Sequence, residues 1–140
     1  MNNWYNLYKQ AQAKGTISFD FDDTLTLPEY DEEQGIWISV GPNLNTVARM
    51  RQYHEQGYRV IILTSRLDEY MEEVRNFVKK YDLPVSEIHN TNGKPKGPFL
   101  EQFGVLKHFD DSPDEIDSAM EYNVNTERVW HPLDVEMENG

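Results

Sequence analysis

Short apolar runs recur along this chain, and several of them end in a polar cluster. Thr16 to Phe21 is apolar and rich in β-formers and predicts a first strand. Tyr58 to Leu63 is almost wholly apolar at its centre, the pattern of a strand buried on both faces. Ser86 to His89, Val105 to Phe109 and Arg128 to Trp130 are predicted as three shorter strands. Helical spacing fills the intervals. Trp4, Leu7, Tyr8 and Ala11 form one stripe, with Gly15 as its stop. Pro42-Asn43 opens a helix to about Gln56, with Leu44, Val47, Ala48 and Met50 predicted inward. Asp68 to Tyr81 carries Tyr70, Val74, Phe77, Val78 and Tyr81 on one face, and Phe99 to Gly104 is a short helix. Ser112-Pro113-Asp114-Glu115 has the cap, proline and acidic third position of a helix start, and that helix runs to about Tyr122.

Strands alternating with helices predict an α/β fold: a three-layer Rossmann-like sandwich around a parallel sheet of about five strands. One interval breaks the pattern. Residues 27–45 are polar, with Pro28, Gly35, Gly41 and Pro42. Ile36 to Val40 reads as a short strand there and Tyr30 to Gln34 as an acidic turn, so a small hairpin-like flap is expected after strand one. The whole, 1–140, is expected to be a single domain, with an N-terminal helix within residues 1–15 and a loose acidic tail over 134–140.

Composition narrows the chemistry. Net charge is −12 with a pI near 4.6, a surface that repels nucleic-acid backbone and anionic membrane at long range. There is no cysteine, so disulfides and thiolate metal sites are excluded. No apolar run has the length of a membrane span and the N-terminus does not read as a signal peptide, so a cytoplasmic location is the expectation.

The chemistry-bearing residues sit where the predicted strands end. After strand one, Asp20, Asp22, Asp23 and Thr24 arrive within five residues, and Asp20 and Asp22 are expected at the carboxyl edge of the sheet. Two carboxylates so close repel unless a cation or a shared proton relieves them. Thr64-Ser65-Arg66 follows strand two: hydroxyls and backbone N–H groups suited to phosphate oxygens, then a guanidinium suited to gripping them, or to pairing with Asp68 or Glu69. Lys94 and Lys96 flank Pro95 before the fourth strand, and Asp110-Asp111 end that strand.

The run Asp20-Phe21-Asp22-Asp23-Thr24 resembles the DxDxT signature of the haloacid dehalogenase-like phosphohydrolases, and the resemblance extends over roughly Thr16 to Trp130. It implies that strand one is central in the sheet, that Asp20 is the nucleophile, and that Asp22 is the general acid and base. It further implies phosphate contacts from Thr64, Ser65 and Arg66 and a charge-neutralising lysine. Lys96, nearer the short helix, is the expected motif lysine, and Lys94 is left as a phosphate contact or a solvated loop charge. Mg²⁺ is implied as cofactor, with Asp20, Asp22 (through its carbonyl) and Asp111 as ligands. Asp110 would orient the lysine or a metal-bound water, Thr24 would hold the turn, and Asp114 would support the metal or only the helix dipole.

The implied function is a Mg²⁺-dependent phosphomonoesterase working through an aspartyl-phosphate, on a nucleotide or another small phosphate ester. The flap is too short for a cap domain, and the order of motifs is similar to the phosphatase domains of polynucleotide kinase/phosphatases. A polynucleotide 3′-phosphatase is therefore the alternative, with the negative charge against it. A receiver-like phosphoacceptor domain is a third reading, opposed by Asp22, which such domains lack. Tyr30 and Trp37 in the flap are candidate base-stacking aromatics, against a simple packing role. His54, His89, His108 and His131 show no metal-ligand spacing; His89 and His108 fall near strand ends and are expected to be satisfied structurally.

Overall fold

The computed structural model describes residues 13–130. Strand β1 (Thr16–Phe19) is buried at every position and lies between two parallel neighbours, β4 (Arg59–Thr64) and β6 (Val105–Asp110). Beyond them lie β5 (Glu87–Asn90) and β7 (Asn125–Arg128), giving a five-stranded parallel sheet of order β5-β4-β1-β6-β7. The central place of β1 is the one the resemblance implies.

Side chains alternate across a strand, and the two faces of this sheet differ. Ile17, Phe19, Val60, Ile62 and Phe109 point to one face, covered by α1 (Leu44–Glu55) through Val47 and Met50 and by α2 (Met71–Lys80) through Met71 and Val74. Phe19 and Phe109 stack there at 4.6 Å between ring centroids. On the other face Ile61 and Leu63 pack with Leu100 of α3 (Gly97–Gln102) and Ala119 of α4 (Pro113–Glu121). That second face also holds Ser18 and His108, register partners on β1 and β6 and both fully buried.

The flap is a two-stranded antiparallel hairpin, β2 (Thr26–Asp31) and β3 (Ile36–Pro42), whose strands pair only with each other. Its foot is closed by Asn43, whose N–H donates to the Leu25 carbonyl at 2.7 Å and whose side chain caps α1 at Thr46. Its tip is an acidic turn in which the Asp31 carboxylate accepts from the N–H groups of Glu33 and Gln34. Tyr30 is about half exposed; the side chain of Trp37 lies outside the described residues.

Several boundaries move. Strand one stops at Phe19, because Asp20 to Leu25 turn away from the sheet. Asn43 is a cap, so α1 begins at Leu44, and its inward residues are Thr46, Val47 and Met50 while Leu44 and Ala48 face solvent. The helix expected from Asp68 starts as a 3₁₀ turn over Asp68–Tyr70, which puts Tyr70 outside and Met71 inside. The fifth strand is Asn125–Arg128, earlier than expected, since it lies at the sheet edge and needs no apolar run. Of the expected N-terminal helix only residues 13 and 14 are described, and they are not helical; the tail over 134–140 lies outside the described residues. Among the described residues no helix is long and apolar enough to cross a membrane.

Candidate active site

At the carboxyl edge of the sheet, β1, β4 and β6 end around a cleft of about 370 Å³. Its lining includes Asp20, Asp22, Asp23, Asp110, Asp111, Asp114 and Glu115 against a single lysine, Lys96. Three local structures aim these groups. After β1 the chain folds back on Phe21, whose carbonyl accepts from Thr24, Leu25 and Thr26. Asp23 takes the left-handed backbone there (φ 61°), a conformation that Asp tolerates better than most residues. Its N–H donates to Thr26 Oγ1 at 2.9 Å. After β6, Asp110 Oδ1 accepts from Ser112 N–H at 3.0 Å, while Ser112 Oγ caps α4 at Glu115. Before α3, Thr91 hydrogen-bonds both the Thr64 and the Lys94 carbonyls, and Gly97 N–H donates to Ser118 Oγ at 3.0 Å.

The last of these pins Lys96. Its side chain is 1% exposed, and Nζ donates to Asp20 Oδ1 at 2.8 Å and to Asp110 Oδ2 at 2.7 Å. Burial alone disfavours the ammonium, but the two carboxylates together outweigh it and raise the lysine above its ordinary range. Asp110 is the firm counter-ion: despite burial, its bonds from His108 and Lys96 hold it well below the usual carboxylate range. Asp20 goes the other way. Burial raises it, and Asp110 adds to the rise, beyond what Lys96 offsets.

Asp20, Asp110 and Asp111 each bring a carboxylate oxygen within 4.8 Å of the others. Thr24 Oγ1 sits between two of them, 3.1 Å from Asp20 Oδ2 and 3.3 Å from Asp111 Oδ1. Burial, reinforced by Asp20, pushes Asp111 up to about 8. The donors are hard oxygens and their mutual repulsion is only partly relieved by Lys96, which is the chemistry of a site for a divalent cation such as Mg²⁺.

The structure brings Asp20, Asp22, Lys96, Asp110 and Asp111 to one cleft, with Ser65 on its rim. Thr64 is buried, and its Oγ1 accepts from Arg66 N–H at 3.3 Å. Lys94 is exposed, outside the cleft lining. Thr24 Oγ1 bonds back to Asp20, four residues earlier in the same turn, and also reaches Asp111, while Thr26 Oγ1 accepts from Asp23 N–H. Asp22's carboxylate is not in the three-acid cluster. It is turned to Arg66, which grips it with Nε and Nη2 at 2.8 and 2.7 Å. Arg66 also donates to Glu73 and to the Tyr70 carbonyl, so its acidic partners are Asp22 and Glu73 rather than Asp68 or Glu69. Asp68 is held by Asn90 and Asn92. His89 pairs with Glu87 and stacks on Phe103, away from the cleft.

A chain of the Pnkp1/Rnl/Hen1 RNA repair complex is 23% identical, with a TM-score of 0.66 over 84% of this chain and 43% of its own. A second structure of the Pnkp1/Rnl/Hen1 complex gives 22%, 0.65, 84% and 46%. The class C acid phosphatase from Bacillus anthracis, at 11% identity, matches with a TM-score of 0.54 over 91% of this chain and 70% of its own. The chain thus spans less than half the length of the Pnkp1/Rnl/Hen1 chains it matches, and these likenesses speak for the fold. No curated protein matches the sequence significantly. The family model described as "PITM 1-3, LNS2 domain" matches residues 17–137, nearly the whole chain. This chain therefore belongs to that LNS2 domain family and has the haloacid dehalogenase-like phosphatase fold.

Proposed function

We propose that the chain hydrolyses phosphoric monoesters, with Asp20 as nucleophile and a divalent cation, Mg²⁺, as cofactor. One observation carries the reading: a lysine buried between the Asp20 and Asp110 carboxylates, with Asp111 beside them, at the carboxyl edge of a parallel sheet. Asp20 and Asp111 would hold the cation, together with the main-chain carbonyl of Asp22. Its chemistry there is charge neutralisation of carboxylates and phosphate. An oxygen of Asp20 attacks phosphorus as the bond to the leaving oxygen breaks, and Asp22 supplies that oxygen with a proton. Water then attacks the phosphorylated Asp20, Asp22 accepts its proton, and the carboxylate is regenerated. Lys96 has three N–H donors and spends two on Asp20 and Asp110, which leaves one for a phosphoryl oxygen.

The substrate we propose is a nucleotide or another small phosphate ester. A cleft with seven carboxylates and one buried lysine, in a chain of net charge −12, suits a ligand with one phosphate better than a polyanion. The likeness to a chain of an RNA repair complex makes 3′-phosphorylated oligonucleotides the necessary comparison. Turnover of 4-nitrophenyl phosphate, nucleoside 5′- and 3′-monophosphates, sugar phosphates and such oligonucleotides tests the reading. Chelation is expected to abolish turnover and Mg²⁺ to restore it. Mg²⁺ at 100 times its Kd should also stabilise the fold by about 2.7 kcal/mol, read as a rise in Tm. Full activity in excess chelator would exclude the cofactor assignment.

Arg66 adds a condition on the proton donor. The guanidinium takes one lone pair on each oxygen of Asp22, so a proton on Asp22 must use one of the remaining lone pairs or displace one of those bonds. Asp22→Asn is expected to slow esters of poor leaving groups far more than 4-nitrophenyl phosphate, whose leaving group departs unprotonated. Equal losses across leaving groups would exclude Asp22 as the acid.

A further inference from the structure

We infer that His108 is a positioning residue of this site: donating from Nε2, its ring holds the Asp110 carboxylate in the orientation that sets Lys96 against Asp20. The inference rests on the proposed phosphatase reading for its kinetic meaning, but its geometry stands by itself. His108 is fully buried in the sheet, on the face that carries Ile61 and Leu63 and that Leu100 of α3 and Ala119 of α4 pack against. An imidazole at such a place costs stability unless both nitrogens are satisfied, and an aliphatic side chain would be cheaper. Both nitrogens are satisfied here. Nδ1 lies 2.6 Å from Ser18 Oγ and Nε2 lies 2.8 Å from Asp110 Oδ2.

The directions of these bonds follow from the partners. Asp110 is ionised, so it only accepts, and Nε2 must carry a proton. Burial disfavours a second proton on the ring, against the pull of Asp110. Nδ1 is then an acceptor, and the Ser18 hydroxyl donates to it. The result is a directed chain: Ser18 to His108, His108 to Asp110, and Lys96 to both Asp110 and Asp20. Asp110 Oδ2 takes two donors and Oδ1 takes Ser112 N–H, so the carboxylate has one orientation. Removing the His108 bond leaves Lys96 as the sole side-chain donor to Asp110, and the ammonium is free to shift toward it and away from Asp20. Groups that orient a ligand or a catalytic charge from behind are typically worth ~10- to 100-fold.

The experiment compares His108→Phe, which keeps the ring's bulk and removes the donor, with His108→Gln, whose amide N–H reaches the place of Nε2. Three readouts are taken. ¹⁵N NMR of the unsubstituted chain is expected to show His108 protonated at Nε2. The ¹⁵N signal of the Lys96 ammonium is expected to move in His108→Phe and to return in His108→Gln. With the substrate that turns over best, kcat is expected to fall about 10- to 100-fold in His108→Phe with a smaller change in KM, and to recover within a few fold in His108→Gln. A ring protonated at Nδ1 alone overturns the inference, as does an unmoved Lys96 signal or an unchanged kcat in a folded His108→Phe. If His108→Phe does not fold, the tautomer and the His108→Gln variant decide, with loss of the Lys96 signal and of activity in the Gln variant overturning it. If the unsubstituted chain hydrolyses nothing, the proposed function falls while the two NMR readouts still test His108.

Discussion

Asp20→Asn should give a folded protein with phosphatase turnover at background, a loss of ~10⁴-fold or more. The substitution keeps the shape of the side chain and an oxygen for Lys96, turns its amide NH₂ to Thr24 Oγ1, which can accept instead of donate, and removes the charge that attacks phosphorus. It should not unfold the chain. Asp20 is buried, and burial together with Asp110 already makes its charged form unfavourable. Neutralising it removes repulsion against Asp110 and Asp111, and Lys96 retains Asp110 as counter-ion. The two effects should therefore separate cleanly: turnover of 4-nitrophenyl phosphate lost, Tm within a few degrees of the unsubstituted chain. A variant that keeps measurable turnover at comparable metal affinity would move the nucleophile elsewhere.

Lys96→Met should lose both rate and stability, and Lys94→Met neither. Lys96 sits fully buried between two carboxylates, so its removal leaves like charges facing each other without water. Breaking such a pair typically costs ~3–5 kcal/mol. Losing the positive charge against the phosphoryl oxygens costs a further ~10²–10³ in rate. The sign of the pH effect follows. A carboxylate whose folded pKa is raised stabilises the fold only while protonated, so the deficit of Lys96→Met should be greatest at neutral pH. It should shrink as pH falls through the folded pKa of Asp20, which is already raised with the lysine in place. Lys94 is exposed, and charges in water contribute ~0–1 kcal/mol. Thermal melts and turnover of the two variants over a pH series check this. A stable, active Lys96→Met would refute the role of the lysine.

The parts of the fold that were legible in sequence are those that burial writes into single residues. Val60 to Leu63 reads as a strand with both faces covered, because a short run of large, mostly β-branched apolar residues between Gly57 and a polar cluster suits a buried strand better than a helix, and all four are buried. Ser112-Pro113 started α4 by its own hydrogen-bonding chemistry. Where the reading slipped, a local rule lost to packing. Leu44 is apolar, yet Asn43 as cap sets the phase of α1 and turns it to solvent. At the site, residue types and their order told of acids and a lysine at strand ends. Which of Lys94 and Lys96 turns inward depends on how the Thr91 hydrogen bonds and the Gly97–Ser118 contact fold the loop. Arg66 reads as a phosphate grip or a partner of Asp68 or Glu69, and its contact with Asp22, 44 residues earlier, is made by the fold and leaves no trace in spacing. Ser18 carried no signal at all. His108 carried a weak one: it stands two residues before Asp110 on one strand, and side chains so spaced share a face.

The strand order has a consequence for how this site comes into being. Asp20 meets Lys96 across 76 residues, Thr24 meets Asp111 across 87 and Ser18 meets His108 across 90. The central strand cannot find either neighbour until long loops have closed, and the entropy of closing them is spent before any of these contacts forms. A chain without β6 would lack Asp110 and leave Lys96 with Asp20 as its one carboxylate partner of the two. The cluster's charges come together only as the sheet closes around β1, so the lysine must be in place when the carboxylates meet. The complete cluster therefore needs β1, β6 and the loop before α3 in their native places at once.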